Sequence, residues 1–354
     1  FLVVSIALTS ILLSLVHPIV VAMSTPADAV SGTVTYLTIC FIGIPFITSY
    51  NIISSIFRGL GDSKSPMCFI ATACAANIAL DYLFMGVLHL GPAGAALGTT
   101  LSQAISVVVS LTVILKRRSI VLKKSDFKPC RAVMGKILGI GIPIAFQDGL
   151  IQVAFIIITI IANQRGLNDA AAVGIVEKVI SFLFLVPSSM LSTVSALGAQ
   201  NIGAGKPERA IQTLRYAVML AAGFGVLASI AIQFTAEGIV SLFTDPSTAD
   251  GAAVVRFGGQ YLRGYIFDCI FAGIHFSFSG FFCACRKSGL SFLHNILAIV
   301  LMRVPGVYVT SKLFPATLLP MGLATAAGSL LSVMICLIAF GVIRRKSTLV
   351  LVEE

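Results

Sequence analysis

The chain is built almost wholly from long apolar runs separated by short polar breaks. Ten runs centre near residues 12, 45, 77, 104, 150, 182, 222, 268, 300 and 330, and the first starts at Phe1. A helix needs about 20 mostly apolar residues to cross a hydrocarbon core about 30 Å thick. The runs have that length, and none shows the alternation of barrel strands. Inside lipid the backbone must satisfy its own hydrogen bonds, as a helix does. The pattern predicts an all-α polytopic membrane protein with ten transmembrane helices. The first run lacks a basic flank and a cleavage site, so it reads as a membrane helix and not a signal peptide.

Composition sharpens this. Of the 354 residues, 57% are apolar and 11% charged, which excludes an ordinary soluble enzyme. The formal net charge of +10 raises nucleic acid as a partner, but the cations lie in short loops with no aromatic-interleaved basic face. Eighteen of the 24 Lys and Arg fall in five places: Arg58 with Lys64, Lys116–Lys136, Lys206 with Arg209 and Arg215, Arg286 with Lys287, and Arg344–Lys346. With ten crossings these all lie on one side. The Lys/Arg excess marks the cytoplasmic side, so both chain ends are expected there. Most of the eight cysteines lie in or beside apolar runs, and Cys283-x-Cys285 lacks a flanking His or acid, so it reads as small packing residues. The lack of Trp and the short loops suggest a bacterial inner membrane.

The order of landmarks repeats, as in many transporters. Tyr36-Leu37 opens a helix ending at Phe57-Arg58, and Tyr261-Leu262 opens one ending at Phe282-Cys283, an offset of 225 that also joins Ser63 to Ser288. A shift of three then brings Pro92-Ala93-Gly94 onto Pro320-Met321-Gly322, and Lys116-Arg117-Arg118 onto Arg344-Arg345-Lys346. Thr25-Pro26 meets Asp245-Pro246 at a slightly shorter offset. The repeat predicts a two-lobe bundle: an N-terminal lobe at 1–118 with four helices, a basic linker at 119–134, a C-terminal lobe at 135–346 with six, and a tail at 347–354. By symmetry the four-helix lobe lacks two helices, so a parent of twelve is expected.

The segment Arg58-Gly59-Leu60-Gly61-Asp62-Ser63-Lys64-Ser65-Pro66 resembles the loop after the fourth helix of the multidrug and toxic compound extrusion (MATE) family. Asn77-Ile78-Ala79-Leu80-Asp81 and Gly91-Pro92-Ala93-Gly94-Ala95-Ala96 continue the likeness. The run from Ala199 to Ala210 is similar to the family's loop after the eighth helix, and Arg303-Val304-Pro305 to a landmark of the eleventh. The resemblance implies two six-helix bundles in a V around a central cavity, alternating access and cation-driven export. Some members carry an essential acid on the first helix, which this chain does not show, and Na⁺-type members carry one on the helix that holds Asp268.

Ionisable groups inside a membrane need a reason, since each costs roughly 2.5–3.5 kcal/mol on insertion scales. Gln147 and Asp148 follow Pro143, whose missing N–H predicts a bend with loosened carbonyls, suited to a proton or Na⁺. Glu177 and Lys178 are adjacent, so they point about 100° apart and only one can face a cavity. Asp268 and His275 lie two turns apart on one face, a plausible proton relay, and Asp268 is the second candidate for Na⁺. Arg303 is expected to pair with Asp268 or Glu177. Asn77, Asp81 and Gln103 read as interhelical hydrogen-bonding groups.

No His-Glu cluster, nucleophile elbow or P-loop occurs, so the chain is expected to be no enzyme and to use no cofactor beyond a coupling H⁺ or Na⁺. The expected function is secondary-active export of cationic amphiphiles by a monomer in the lipid bilayer. A lipid-linked oligosaccharide flippase and an inactive fragment are the alternatives.

Overall fold

The computed structural model describes residues 2–22, 27–117 and 130–345. The Thr25-Pro26 landmark, the linker from Ser119 to Pro129 and the tail beyond Lys346 lie outside these. Every element among the described residues is helical. In chain order they are α1 Leu2–Ser14, α2 Val16–Ala22, α3 Ala27–Ile42, α4 Ile44–Gly59, α5 Lys64–Asp81, α6 Gly91–Arg117, α7 Arg131–Asn163 and α8 Leu167–Leu183. Then follow α9 Leu185–Gly203, α10 Pro207–Val240, α11 Ala249–Tyr265, α12 Phe267–Ala284, α13 Ser288–Ala298, α14 Val304–Leu313 and α15 Leu319–Arg345. Two π-helical turns, Tyr82–Val87 and Ile299–Arg303, follow α5 and α13.

Among the described residues, nine helical stretches are long and apolar enough to cross a membrane, beginning with Ala29–Gly59 and ending with Leu319–Arg345. They match nine of the ten predicted runs. The first run forms the shorter α1 and α2, separated at Leu15. Pro18, Pro45 and Pro187 each stand within the first three residues of the helix after a break, where a missing N–H costs no hydrogen bond, and Pro305 directly follows a π-helical turn. Pro143 is different: α7 runs through it as one helix. That helix also begins at Arg131, so the last four residues expected in the linker, Arg131–Met134, form its first turn.

The chain forms two compact units, Phe1–Lys128 and Pro129–Glu354. In the first, α6 packs on α3, α4 and α5. Ile53, Phe57, Phe69 and Ile114 form its core, with the Phe57 and Phe69 rings edge to face at 5.5 Å. In the second, α11 and α12 form the central column. Helix α12 packs on α9, α10 and α15, and α11 on α8, α10 and α15. Lipid gives no hydrophobic drive for helix association, so close backbone approach must supply the contact. Glycines permit it. A Cβ on Gly280 would stand 2.5 Å from the Leu191 carbonyl, and one on Gly273 2.7 Å from the Ala221 methyl.

The internal repeat is visible in detail. Helices α6 and α15 each have 27 residues. Gly61 (φ 88°) and Arg286 (φ 57°), 225 positions apart, both adopt left-handed backbone. Around them the Asp62 N–H bonds the Phe57 carbonyl at 2.9 Å, and the Lys287 N–H bonds the Phe282 carbonyl at 2.7 Å, the same helix-terminating turn. The two π-helical turns also occupy matching places in the order of elements.

Candidate functional site

A cavity of about 290 Å³ opens within the second unit. Asp268, His275 and Phe276 enter from α12, Phe155 from α7, Arg303 from the π-helical turn, and Ser329 and Ser332 from α15. Polar side chains reach it because small residues clear their path. A Cβ on Gly328 would stand 2.8 Å from the Arg303 Cβ, so glycine there lets the arginine stem pass.

Charge lies at one end. The Arg303 Nη2 is 3.2 Å from Asp268 Oδ2, with side chains 12% and 1% exposed. It also donates to the Tyr265 hydroxyl at 2.8 Å. The guanidinium carbon stands 5.3 Å from the centre of the Phe155 ring and 5.8 Å from that of Tyr265, within cation–π range. Glu177 on α8 lies within the electrostatic reach of Arg303, with Thr159 beside its carboxylate. Ser329 lies against the Asp268 carboxylate.

His275, Asn295 and Ser332 also line the cavity, and a buried hydrogen-bonded group lies against them. His294 is held at both ring nitrogens, by Ser279 at 2.8 Å and by Ser332. Ser291 donates to the Ser279 carbonyl, and Asn295 to that of Ser291. The rings of His275 and His294 are edge to face with centroids 5.5 Å apart.

Five buried polar atoms here have no hydrogen-bond partner among the described residues: Glu177 Oε1, Tyr261 hydroxyl, Asp268 Oδ1, His275 Nδ1 and Arg303 Nε. A buried polar group left unpaired costs about 1–3 kcal/mol, and three of these five belong to residues that line the cavity, Asp268, His275 and Arg303.

The MatE family model matches residues 1–83 and 143–309, most of the chain. The chain belongs to the MATE family. This MATE chain is 30% identical over 283 residues to the probable multidrug resistance protein YpnP of Bacillus subtilis, covering 80% of this chain and 62% of that one. It is 27% identical over 282 residues to an FAD transporter of Shewanella oneidensis, covering 76% and 60%. With the multidrug export protein MepA of Staphylococcus haemolyticus it shares 26% identity over 294 residues, covering 82% and 63%. It thus spans about three fifths of the length of these relatives. Its fold matches the Vibrio cholerae MATE transporter VcmN with a TM-score of 0.90 at 15% identity, over 99% of this chain and 78% of that one. A MOP-superfamily transporter of Pyrococcus furiosus matches with a TM-score of 0.88 at 20% identity, over 98% and 77%. MATE proteins are transporters and not enzymes.

In this MATE chain the predicted site residues fall into three places. Asp268, His275 and Arg303 line the cavity, and Glu177 stands beside its charged end. Lys178, next along the helix, is exposed. Gln147 is fully buried with both amide atoms unpaired among the described residues, whereas Asp148 is exposed. Gln147 is one turn from the lining residue Ile151, and Asp148 one turn from Gln152.

In the first unit, Asn77 and Gln103 share a separate cavity of about 200 Å³ with Tyr50, Thr99 and Ser102. Asp81 does not line it. Its Oδ1 instead occupies the space a Cβ at Gly98 would need, and has no partner among the described residues. No group of three or more His, Cys, Asp or Glu that could hold a metal occurs among the described residues. At Cys285, just past the end of α12, burial pushes the thiol up to about 11.

Sequence reasoning missed Tyr261, Tyr265, His294, Asn295, Ser279, Ser329 and Ser332. One signal was available for the last pair and their partners: polar residues recur on α12 at Asp268, His275 and Ser279, on α13 at Ser291, His294 and Asn295, and on α15 at Thr325, Ser329 and Ser332.

Proposed function

We propose that the protein is a secondary-active exporter that exchanges H⁺ or Na⁺ for cationic amphiphiles by alternating access in a bacterial inner membrane, as a monomer with both ends of this chain cytoplasmic. The observation that carries this reading is the cavity inside the second unit, lined by the buried Asp268 and its ion-pair partner Arg303 within an apolar bundle, with the half-buried Glu177 beside it. Such groups persist in a membrane where they move ions or substrate. Aromatic and apolar walls at Phe155, Phe184, Phe276 and Ile299 would tolerate varied ligand shapes. The names of the Bacillus and Staphylococcus relatives point the same way. A flippase for anionic lipid-linked sugars would call for a cationic cavity, and the acids here oppose it.

Ethidium efflux from energised cells tests the reading, with the H⁺ and Na⁺ gradients collapsed separately. The expected result is export that stops with one gradient, and its loss in Asp268→Asn. Full-rate export by that variant would remove Asp268 from the mechanism.

A further inference from the structure

Two buried histidines stand side by side and are bonded differently. His275 on α12 and His294 on α13 are 4% and 1% exposed, with ring centroids 5.5 Å apart. His294 has both ring nitrogens engaged, by Ser279 and by Ser332. His275 makes no hydrogen bond among the described residues, and its Nδ1 is buried without a partner. Its side chain also lines the cavity of about 290 Å³. No bond to the protein fixes the rotation of its ring about Cβ–Cγ. A half-turn of an imidazole exchanges nitrogen and carbon positions with little change of shape, so a nitrogen can be turned to a ligand without breaking any existing bond.

Two further lining groups have hydrogen-bonding capacity to spare. Asn295 donates Nδ2 to the Ser291 carbonyl at 3.1 Å, which fixes its amide, and its Oδ1 accepts nothing among the described residues. Ser332 lines the cavity while its hydroxyl meets His294 Nδ1. A hydroxyl has one donor and two acceptor positions, and a neutral imidazole one donor and one acceptor. Ser279 and Ser332 therefore take opposite roles toward His294. With the proton on Nδ1, Ser332 accepts and keeps its O–H for the cavity. With the proton on Nε2, Ser332 donates and keeps lone pairs for it. The same wall can thus meet a donor or an acceptor.

The charged groups lining the cavity, Asp268 and Arg303, are paired with each other at 3.2 Å. His275 lies seven residues along α12 from Asp268, about 10 Å on the helix axis. The neutral groups are therefore a recognition point separate from the ion pair.

We propose that His275, Asn295 and Ser332 form an uncharged hydrogen-bonding subsite that selects cargo bearing a neutral group with both a donor and an acceptor, such as a carboxamide. Asn295 Oδ1 accepts from the amide N–H, and His275 and Ser332 donate to its oxygen. A carboxylate there would face the Asn295 oxygen, and an ammonium would leave the donors unused. This deepens the exporter reading by naming a feature of the cargo, and it rests on that reading for the movement of the cargo.

The test measures binding to the purified protein by titration calorimetry, with benzyltrimethylammonium and its 4-carbamoyl derivative as probes. The wild type is expected to bind the carbamoyl compound roughly three- to tenfold more tightly, the effect of one or two neutral hydrogen bonds. His275→Leu should lose that preference, and His275→Gln, which still offers a donor and an acceptor, should keep it. Absence of the preference in the wild type, or its survival in His275→Leu, would overturn the subsite. Thermal unfolding supplies a second readout. His275→Leu should melt at or above the wild-type Tm, because it deletes a buried nitrogen that has no partner. A loss of Tm as large as that of His294→Leu would show that the protein itself holds the ring, and would also overturn the proposal. Absence of ethidium efflux from energised cells, with the His275-dependent preference intact, would refute the exporter reading and leave the subsite standing. Efflux without the preference would do the reverse.

Discussion

Tyr265 and Arg303 are joined twice. The guanidinium donates to the tyrosine hydroxyl at 2.8 Å, and its central carbon stands 5.8 Å from the centre of the same ring. The hydroxyl and the ring hold different parts of the cation, so they can be separated by substitution. Tyr265→Phe keeps the ring and removes the acceptor. A hydrogen bond to a charged group contributes about 1.5–3 kcal/mol, and the variant should lose about that much stability. Denaturant unfolding measures it. An unchanged midpoint would mean that the ring and Asp268 alone fix Arg303.

Gly328 should resist enlargement. Alanine normally favours a helix over glycine by about 1 kcal/mol. Here its methyl would stand 2.8 Å from the Arg303 Cβ, a backbone-proximal atom that cannot swing away. Overpacking of this kind costs about 1–3 kcal/mol, so Gly328→Ala should be destabilising overall and should reduce export. A Tm at or above the wild type would show that the two helices can move apart.

His294 joins Ser279 on α12 to Ser332 on α15. His294→Leu would leave two buried hydroxyls without a partner, a loss of about 1–3 kcal/mol for each. Adding Ser279→Ala and Ser332→Ala should recover much of that loss, because removing both partners of a buried hydrogen bond is close to neutral. Failure of the triple variant to recover would assign the damage to packing. The comparison is made by Tm.

Arg165 is expected to be the most sensitive charged position outside the cavity. Its Nε meets Asp169 at 2.6 Å, and its terminal nitrogens donate to the carbonyls of Ser311, Phe314, Pro315 and Thr317. One side chain thus ties α7 and α8 to the end of α14 and the turn before α15. Breaking a buried pair costs about 3–5 kcal/mol. Arg165→Ala should lose that much. Arg165→Lys should also be impaired, since an ammonium cannot span the same carbonyls. Limited proteolysis at the turn 314–318 would report its release.

The spans were legible because bilayer thickness demands runs of fixed length, and the repeat because it reappears in helix lengths and turn geometry at the predicted offsets. Asp268, His275 and Arg303 were legible because charge is rare in apolar runs. Gln147 and Asp148 were harder. Adjacent residues differ by about 100° around a helix, and only the neighbours of α7 decide which one turns inward. The inward one is the amide, and the acid is exposed. The serines and His294 were hidden for another reason. Single hydroxyls in a membrane helix commonly bond their own backbone, as Thr159 does to Phe155, so their role emerges only when a second helix brings a partner. Arg165 counted as one loop charge among several until its carbonyl partners were visible.

Asn295 and Arg303 look onto the same cavity, although eight residues separate them. In an uninterrupted α-helix that separation would turn them about 80° from each other. The wider turn at Ile299–Arg303 absorbs one residue, and seven residues are close to two full turns. The surplus peptide unit is thus what aims the guanidinium. Deleting a single residue from this turn would be tolerated far better than inserting one, because the helix already carries the slack that a deletion would take up.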